Sequence, residues 1–293
     1  MTGKVPARSR RTHHRIIFGN SRQMKELDHG SIHLVVTSPP YYNAPFDYED
    51  MFPSYEDDYL GLIRDFAHES FRVLADGRIA AVNTDDMLVS GRRFPIVADT
   101  TKIFMDAGFV YRDRITWKKP EGYIRISRRS GVLLQHPWPM YYYPDNIQES
   151  ILIFQKGKAD YRALRRRQGE DDPIEKAEYL GGKWYLNLWE MTNRLPNQTG
   201  DWKPSEYPAA FPDELAYRLI RLFSYRGETV LDPFLGSGTT SRVAAKEGRN
   251  SVGYELMRNL RDLIERRIRE AAPGAEIEFQ DRVKAEKERA GWN

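Results

Sequence analysis

The sequence predicts an α/β fold in which helices cover both faces of a doubly wound, mostly parallel sheet. Short segments rich in apolar and β-branched residues alternate along the chain with longer segments that carry apolar residues at helical spacing. Glycine, asparagine or aspartate stands at many of the boundaries, as turns require. The 293 residues, 40% of them hydrophobic, suffice for one large domain with insertions or for one domain and a second, smaller one.

Each element follows from its local composition. Seven segments are typical of strands, because they are short, apolar and β-branched: 15–18, 32–37, 78–83, 109–117, 149–154, 228–231 and 250–253. Apolar residues three and four positions apart predict helices between them at 55–74, 94–107, 211–223, 239–247 and 257–271, with a single helical turn at 21–27.

Two stretches rich in basic and aromatic residues, 119–147 and 157–208, interrupt this alternation. Long irregular segments in a compact domain usually carry function, so we interpret both as insertions at the edge of the sheet. The chain is therefore divided into a basic N-terminal arm (1–14), a main domain that carries the two insertions (15–271) and a C-terminal tail (272–293).

The composition excludes several kinds of site. The chain contains no cysteine, which rules out disulfides, thiolate metal sites and cysteine nucleophiles. Its six histidines show no metal-ligand spacing such as His-Glu-x-x-His, so no metal site is expected. No segment has the length of a membrane span and the N-terminus has no apolar signal core, so we expect a cytoplasmic protein without a membrane partner.

Positive charge is clustered rather than large. The formal net charge is only +3, but lysine and arginine gather in residues 1–15, 118–129 and 156–167. Such clusters can neutralise the phosphates of a nucleic acid, or can equally form a solvated surface. The candidate DNA-binding residues lie in the two insertions: Arg125, Arg128, Arg129, Arg165, Arg166 and Arg167.

A glycine motif follows the strand at 228–231, in the segment ETVLDPFLGSGTT. The strand ends at Asp232, and Gly236 and Gly238 would let a ligand approach the backbone closely. The next strand ends in Glu255, 17 residues beyond Gly238, an offset that suits a carboxylate binding the two hydroxyls of a ribose. An acid at Asp232 would repel a phosphate and suits a ligand with an ammonium group, such as S-adenosylmethionine. A merely structural turn is the alternative.

A second motif, VVTSPPYYN, ends the strand at 32–37. Prolines cannot extend a sheet ladder, they fix φ, and Ser38 is held extended because it precedes a proline. The stiff turn would present the Ser38 hydroxyl and the Pro39 carbonyl as two preorganised hydrogen-bond acceptors. Tyr41 would offer a face on which a base stacks. The alternative is a Pro-Pro turn beside two core tyrosines.

Together, TSPPYYN and DPFLGSGTT resemble the DNA amino-methyltransferases, which methylate N4 of cytosine or N6 of adenine. Their order matches the permuted arrangement called the β class. Further similar segments are FRVLADGRIAAVNTDD, DRITWKKP, ESILIFQKG and YPAAFPDELAYRLI. The resemblance covers most of the chain from residue 15 to about residue 271. It implies a seven-stranded S-adenosylmethionine-dependent methyltransferase sheet with target-recognition insertions.

The resemblance implies a role for each motif residue. The catalytic residues would be Ser38, Pro39, Pro40 and Tyr41, which would grip the amine of a base flipped out of the duplex. The cofactor-binding residues would be Asn20, Phe211, Asp232, Phe234, Gly236, Ser237, Gly238, Thr239 and Glu255. The family more often has Gly-Asp where this chain has Gly19-Asn20, but asparagine still offers a carbonyl acceptor to an adenine amine.

Serine before Pro-Pro-Tyr is typical of the cytosine enzymes, so the resemblance predicts a site-specific DNA methyltransferase acting on cytosine N4. The alternatives are an N6-adenine enzyme, an RNA or protein-amide methyltransferase, and a catalytically silent DNA-binding module. The lack of cysteine argues against cytosine-C5 methylation, which needs a cysteine nucleophile. We expect a prokaryotic or phage protein, associated with the nucleoid, that acts on double-stranded DNA as a monomer or homodimer; a cognate restriction endonuclease is left open.

Overall fold

The computed structural model describes residues 11–44, 51–119, 146–168, 172–191 and 211–282. The strands in these ranges are β1 (His13–Phe18), β2 (Ile32–Thr37), β3 (Leu74–Thr84), β4 (Met87–Val89), β5 (Arg92–Phe94), β6 (Val110–Lys118), β7 (Gln148–Gln155), β8 (Leu188–Glu190), β9 (Thr229–Asp232), β10 (Asn250–Glu255) and β11 (Glu276–Asp281). The α-helices are α1 (Leu60–Val73), α2 (Ile96–Asp106), α3 (Tyr161–Gln168), α4 (Lys176–Gly181), α5 (Asp213–Phe223), α6 (Thr239–Lys246) and α7 (Arg261–Ala271). None of the described helices is both long and apolar enough to span a membrane.

Nine of these strands form one sheet, in the order β11-β1-β10-β9-β2-β3-β7-β6-β8. Neighbouring strands are parallel except at β7, which is antiparallel to both β3 and β6. β4 and β5 form a separate antiparallel hairpin. The predicted fold class, an α/β domain with a mostly parallel sheet, is confirmed, but the sheet has nine strands rather than the expected seven.

Helices cover both faces of the sheet, as the buried side chains of β2 show. Val35 packs in a cluster with Phe66 of α1 and Phe104 of α2. Leu34 and Val36 point to the other face, where the cluster includes residues of α5 and α6. Successive residues of a strand face opposite sides, so a strand buried on both sides is apolar along its whole length. This double burial explains why the central strands were recognised from composition alone.

Two strands at the edges of the sheet were not predicted. β8 has three residues and lies within the insertion at 157–208. β11 lies within the segment 272–293 that was expected to be a tail; its Glu276 and Glu278 are outward, whereas Ile277 and Phe279 pack on the domain. Because an edge strand buries only one face, its polar residues conceal it in a search for apolar segments.

Residues 21–27 form no helix and only one hydrogen-bonded turn, in which the N–H of Leu27 donates to the Met24 carbonyl at 3.0 Å. The carbonyl oxygens of Met24 and Leu27 accept hydrogen bonds from Arg72 of α1, at 2.8 Å each. The carbonyl oxygen of Gln23 accepts one from Arg282, at 2.5 Å. Side chains from distant parts of the chain thus satisfy backbone groups that a helix would otherwise have paired with one another.

Candidate active site

The two motifs meet at one edge of the sheet. β2 ends at Thr37 beside β9, which ends at Asp232, and β10 ends next to β9 at Glu255. Because these strands are parallel, their carboxyl ends share the edge at which open α/β sheets bind ligands. The loop of Ser38 and the glycine turn are thereby brought together, although 195 positions separate Thr37 from Asp232.

The Asp232 carboxylate joins the two motifs directly. Its Oδ1 accepts a hydrogen bond from the Thr37 hydroxyl at 2.5 Å, and its Oδ2 accepts one from Thr240 at 2.6 Å. The backbone N–H of Phe234 donates a third, at 3.1 Å. Asp232 is 1% exposed, and burial raises its pKa to about 6 against the opposing effect of these hydrogen bonds. The carboxylate therefore holds β2 and the glycine turn together through protein donors.

Asp232→Asn should change how stability depends on pH. The pKa of the acid rises from 3.8 to about 6 on folding, so the folded state binds the proton more tightly. Its contribution to stability is then fully present below the unfolded pKa and is lost as pH rises through the folded pKa. At about 1.4 kcal/mol per pKa unit, the wild type loses about 2.4 kcal/mol between about pH 4 and about pH 7 that the variant does not lose. Urea unfolding of both proteins at about pH 4 and about pH 7 measures this, and an equal difference at both would contradict the raised pKa.

The glycine turn has a backbone that favours glycine. Gly236 and Gly238 have φ of 55° and 86°, in the left-handed region that other residues rarely adopt. The N–H of Leu235 donates to the backbone of β10 at 2.9 Å, and a Cβ on Gly253 would lie only 2.5 Å from the Leu235 side chain. Close packing against β10 therefore directs the turn toward Glu255.

Glu255 holds the turn from the other side. Its Oε2 accepts a hydrogen bond from the N–H of Gly236 at 2.8 Å, and its Oε1 accepts one from the N–H of Met257 at 2.7 Å. Burial raises the pKa of Glu255, and these backbone hydrogen bonds oppose the rise. A backbone hydrogen bond from Leu256 adds to these two, so three backbone N–H groups face the carboxylate. Leu256 and Met257 follow, and their large apolar side chains are 60% and 44% exposed.

The Ser-Pro-Pro-Tyr loop leaves β2 at this edge. Pro39 and Pro40 are buried, whereas Ser38 and Tyr41 are half-buried. The Tyr41 hydroxyl donates to Oε2 of Glu149 at 2.7 Å. Burial raises the pKa of Tyr41, the nearby Glu149 carboxylate adds to the rise, and a hydrogen bond with Ser38 opposes it. Tyr41 is therefore a neutral hydrogen-bond donor, and the two prolines anchor the loop.

The neighbouring tyrosine has a different environment. Tyr42 is 8% exposed, and its ring centroid lies 4.7 Å from that of Phe94 and 5.0 Å from that of Tyr55. Asn43, at φ 41°, exchanges two hydrogen bonds with the backbone of Phe52, at 2.9 and 2.8 Å. The alternative of core tyrosines therefore holds for Tyr42 but not for Tyr41.

The remaining predicted cofactor residues have different environments. Asn20 is exposed, directly beyond β1, which pairs with β10. Phe234 is half-buried and packs edge-on against Phe66, with ring centroids 5.2 Å apart. Phe211 is half-buried before α5 and packs on the face that α5 and α6 cover. The exposed side chains near the ends of β1 and β10 thus include those of Asn20, Leu256 and Met257.

Two arginines that sequence analysis did not single out hold the site together. Arg267 of α7 donates to the carbonyl oxygen of Ser237 at 3.0 Å and to the Thr239 hydroxyl at 3.4 Å. Arg282 donates to the carbonyl oxygen of Asn20 at 2.7 Å. No local signal marks either residue, because α7 is charged throughout and Arg282 falls in the segment expected to be a tail.

Of the candidate DNA-binding arginines, only the side chain of Arg165 lies within the described part of the chain. Arg125, Arg128 and Arg129 lie outside the described residues. Arg165 is exposed on α3, and the side chains of Arg166 and Arg167 on the same helix also lie outside the described part. α3 begins near Gly77, whose N–H donates to the Lys156 carbonyl at 2.6 Å. Gly77 lies near the amino end of β3, so α3 starts at the opposite edge, about 23 Å from the carboxyl end of that strand.

Comparison with known proteins agrees with this site. Residues 32–266 match the family of DNA methylases. The chain is 35% identical over 291 residues to the Type II methyltransferase M.MjaI of Methanocaldococcus jannaschii, covering 88% of this chain and 91% of that protein. It is also 35% identical over 282 residues to the Type II methyltransferase M.MthZI of Methanothermobacter thermautotrophicus, covering 89% of this chain and 78% of that protein.

Solved structures are similar along most of the chain. A candidate DNA modification methylase of Thermus thermophilus, in complex with S-adenosylmethionine, has a TM-score of 0.71 and 29% identity, covering 92% of this chain and 98% of that one. The cytosine-N4-specific PvuII DNA methyltransferase has a TM-score of 0.61 and 18% identity, covering 92% and 95%, a similarity that shows the fold alone. The chain belongs to the DNA methylase family that methylates exocyclic N6 or N4 amines, and its cofactor is S-adenosylmethionine.

Proposed function

We propose that this chain transfers a methyl group from S-adenosylmethionine to the exocyclic N4 of a cytosine flipped out of double-stranded DNA. The observation that carries the proposal is the hydrogen bond between Thr37 and Asp232. It fixes the Ser38 loop, which would receive the base, beside the glycine turn, which would receive the cofactor. Holding two reactants at one point of the sheet edge removes much of the entropic barrier to their reaction.

The residues around Glu255 fit a nucleoside. Its carboxylate lies at the end of β10 and would accept hydrogen bonds from the two ribose hydroxyls. Leu256 and Met257 expose apolar side chains beside this carboxylate and would cover the adenine ring. Gly236 and Gly238 carry no side chain, so the ligand can approach the backbone closely. When bound, S-adenosylmethionine supplies an electrophilic methyl group.

Some motif residues would shape the pocket without touching the cofactor. Asp232, Ser237 and Thr239 are each 3% exposed or less, and their side chains already hydrogen-bond to protein groups. We propose that they set the conformation of the glycine turn. The proposed direct contacts outside this turn are the more accessible residues Asn20, Phe211 and Phe234.

Ser38 and Pro39 would orient the target amine. The lone pair of an exocyclic amine is delocalised into the ring, which makes the nitrogen a poor nucleophile. Two acceptors, the Ser38 hydroxyl and the Pro39 carbonyl, would bind its two hydrogens and direct the lone pair at the methyl carbon. The nitrogen becomes acidic on methylation, so no strong base is required. Stacking on Tyr41 returns about 1–3 kcal/mol of the few kcal/mol that base flipping costs.

The choice of cytosine rests on Ser38, because serine at this position is typical of the cytosine enzymes in the family resemblance. A serine is shorter than aspartate and uncharged, so it offers a weaker acceptor in a slightly wider pocket. N6 of adenine is the second candidate target. Adenine also presents an NH₂ group beside a ring nitrogen, and the family includes enzymes for both bases.

We propose that the insertions 119–147 and 157–208 carry target recognition, since the first begins and the described part of the second ends at the catalytic edge. The N–H of Lys119 donates to the Ile147 carbonyl at 2.7 Å, so the first and last residues of the first insertion lie together at the end of β6. Met191, after β8, donates its N–H to the Lys118 carbonyl at 3.3 Å, so the second insertion returns to the same edge. Base readout requires side chains that reach the DNA grooves from such positions.

The product should be N4-methylcytosine in DNA. DNA from cells that express the chain is digested to nucleosides and analysed by mass spectrometry, with the Ser38→Ala variant expressed as the control. Detection of N6-methyladenine without N4-methylcytosine would show that adenine is the target base. The proposed roles of Ser38 and Pro39 in orienting the amine would not be affected by that result. Neither modified base in DNA from the wild-type culture would reject the proposed function.

A further inference from the structure

We propose that Glu149 is a positioning residue that fixes the ring of Tyr41 for stacking on the target base and links that ring to Lys119, where the first insertion begins. The inference rests on the proposed function. It concerns a residue outside both sequence motifs, and it is carried by the contacts that converge on one carboxylate.

The direction of β7 brings Glu149 to the catalytic edge. β7 is antiparallel to β3 and β6, so its amino end lies beside the carboxyl ends of its neighbours. Glu149 is the second residue of β7 and is paired with Trp117, near the end of β6. A parallel strand at this place in the sheet would have turned its first residues to the opposite edge.

Three donors from three elements converge on the carboxylate. The Tyr41 hydroxyl donates to Oε2 at 2.7 Å, and the side-chain amide of Asn83 in β3 donates to the same oxygen. Nζ of Lys119 forms an ion pair with Oε1. The side chains of Glu149 and Lys119 are only 12% and 16% exposed, so this charge depends on its partners for stabilisation.

The contact restrains Tyr41 at the end of its side chain, while Pro40 stiffens the backbone at the other end. A hydrogen bond to an ionised acceptor is stronger than one between neutral groups. Burial and the nearby Glu149 carboxylate raise the pKa of Tyr41, so its hydroxyl stays a hydrogen-bond donor. Because the ring is already ordered in the free protein, stacking on it costs less conformational entropy. This favours the state in which the target base is flipped out of the duplex.

Lys119 extends the link to the first insertion. Its N–H donates to the carbonyl of Ile147, the last residue of that insertion, and its Nζ lies 5.0 Å from the centre of the Trp117 ring. The same residue therefore fixes the start of a segment proposed for target recognition and neutralises Glu149. Lys119 and Tyr41 are thus linked because both contact the Glu149 carboxylate.

Glu149→Gln keeps the size of the side chain and removes its charge. In methyl transfer from labelled S-adenosylmethionine to unmethylated genomic DNA, we expect kcat/KM for DNA to fall about tenfold, while the Kd of S-adenosylmethionine is unchanged. Tyr41→Phe keeps the ring and should give a similar loss. The loss in the double variant should be smaller than the two single losses combined, because Glu149→Gln weakens and Tyr41→Phe removes the same hydrogen bond. Tyr41→Ala removes the stacking face and should lose more.

Glu265→Gln is the matched control, because it removes an acid that pairs with Arg269 at 2.8 Å on α7, outside both insertions and both motifs. It should leave every parameter at the wild-type value. Additive losses in the double variant, or wild-type kcat/KM in Glu149→Gln, would overturn the inference while the wild type stays active. Lower S-adenosylmethionine affinity or a lower Tm in Glu149→Gln would show that Glu149 stabilises the fold instead. Wild-type activity in Tyr41→Phe would also overturn the inference. An inactive wild type would reject the proposed function, and this inference with it.

Discussion

Glu255→Ala should weaken the binding of S-adenosylmethionine strongly. Two ribose hydroxyls would lose a charged acceptor, and at about 1.5–3 kcal/mol for each such hydrogen bond the affinity should fall about 10²–10⁴-fold. The change also removes the acceptor for the backbone N–H groups of Gly236 and Met257. The glycine turn would then be less restrained, so both losses act in the same direction.

Isothermal titration calorimetry without DNA measures this effect. Glu255→Gln keeps the shape and one acceptor oxygen, so its affinity should lie between those of the wild type and Glu255→Ala. Glu278→Ala is the control, since it removes a half-exposed acid from β11, two strands away from β10. A folded Glu255→Ala protein that binds within about threefold of the wild type would exclude Glu255 as the ribose ligand.

The central sheet was predictable because its strands are buried on both faces. β2 shows this, since Leu34, Val35 and Val36 are apolar in succession and fill two different clusters. The edge strands were missed for the opposite reason. β8 is too short to show a period, and β11 alternates glutamate with Ile277 and Phe279. Residues 21–27 were missed because side chains, rather than their own helix, satisfy their backbone.

The motif residues were predictable because turn chemistry is local. Pro39 stiffens its own turn and Gly236 adopts its own positive φ, whatever lies beside them. The bond from Thr37 to Asp232 and the contacts of Glu149 depend instead on which strands are neighbours. Spacing along the chain does not specify that order, so these residues emerged only from the structure.

Charge clusters were the least informative signal. The arginines after β7 were grouped with those of the first insertion because both segments are basic. β7 runs against its neighbours, so the chain returns to the amino edge of the sheet before α3 and Arg165. The reversal that brings Glu149 to the catalytic edge is therefore the same feature that carries Arg165 away from it.

Ser38→Ala should lower kcat for DNA methylation about 10²–10³-fold, the effect found when one preorganised hydrogen-bonding group is removed from an active site. The Pro39 carbonyl would remain and hold one hydrogen of the amine, but the lone pair would no longer be directed by two acceptors. The loss should fall on kcat rather than on binding, because the contact strengthens as positive charge develops on the nitrogen. The Kd of S-adenosylmethionine should be unchanged, since Glu255 and the glycine turn are untouched.

Ser31→Ala provides a matched control at the other end of the same strand. Ser31 precedes β2, is exposed, and donates its hydroxyl to the Asp28 carbonyl at 2.8 Å, so the same change there should leave kcat unaltered. Single-turnover assays with saturating DNA and cofactor separate chemistry from binding. If Ser38→Ala keeps kcat within about twofold of the wild type, the Pro39 carbonyl orients the amine with some other partner. If Ser38→Ala instead loses cofactor affinity, the bond between Thr37 and Asp232 has been disturbed, and the serine acts through the position of the glycine turn.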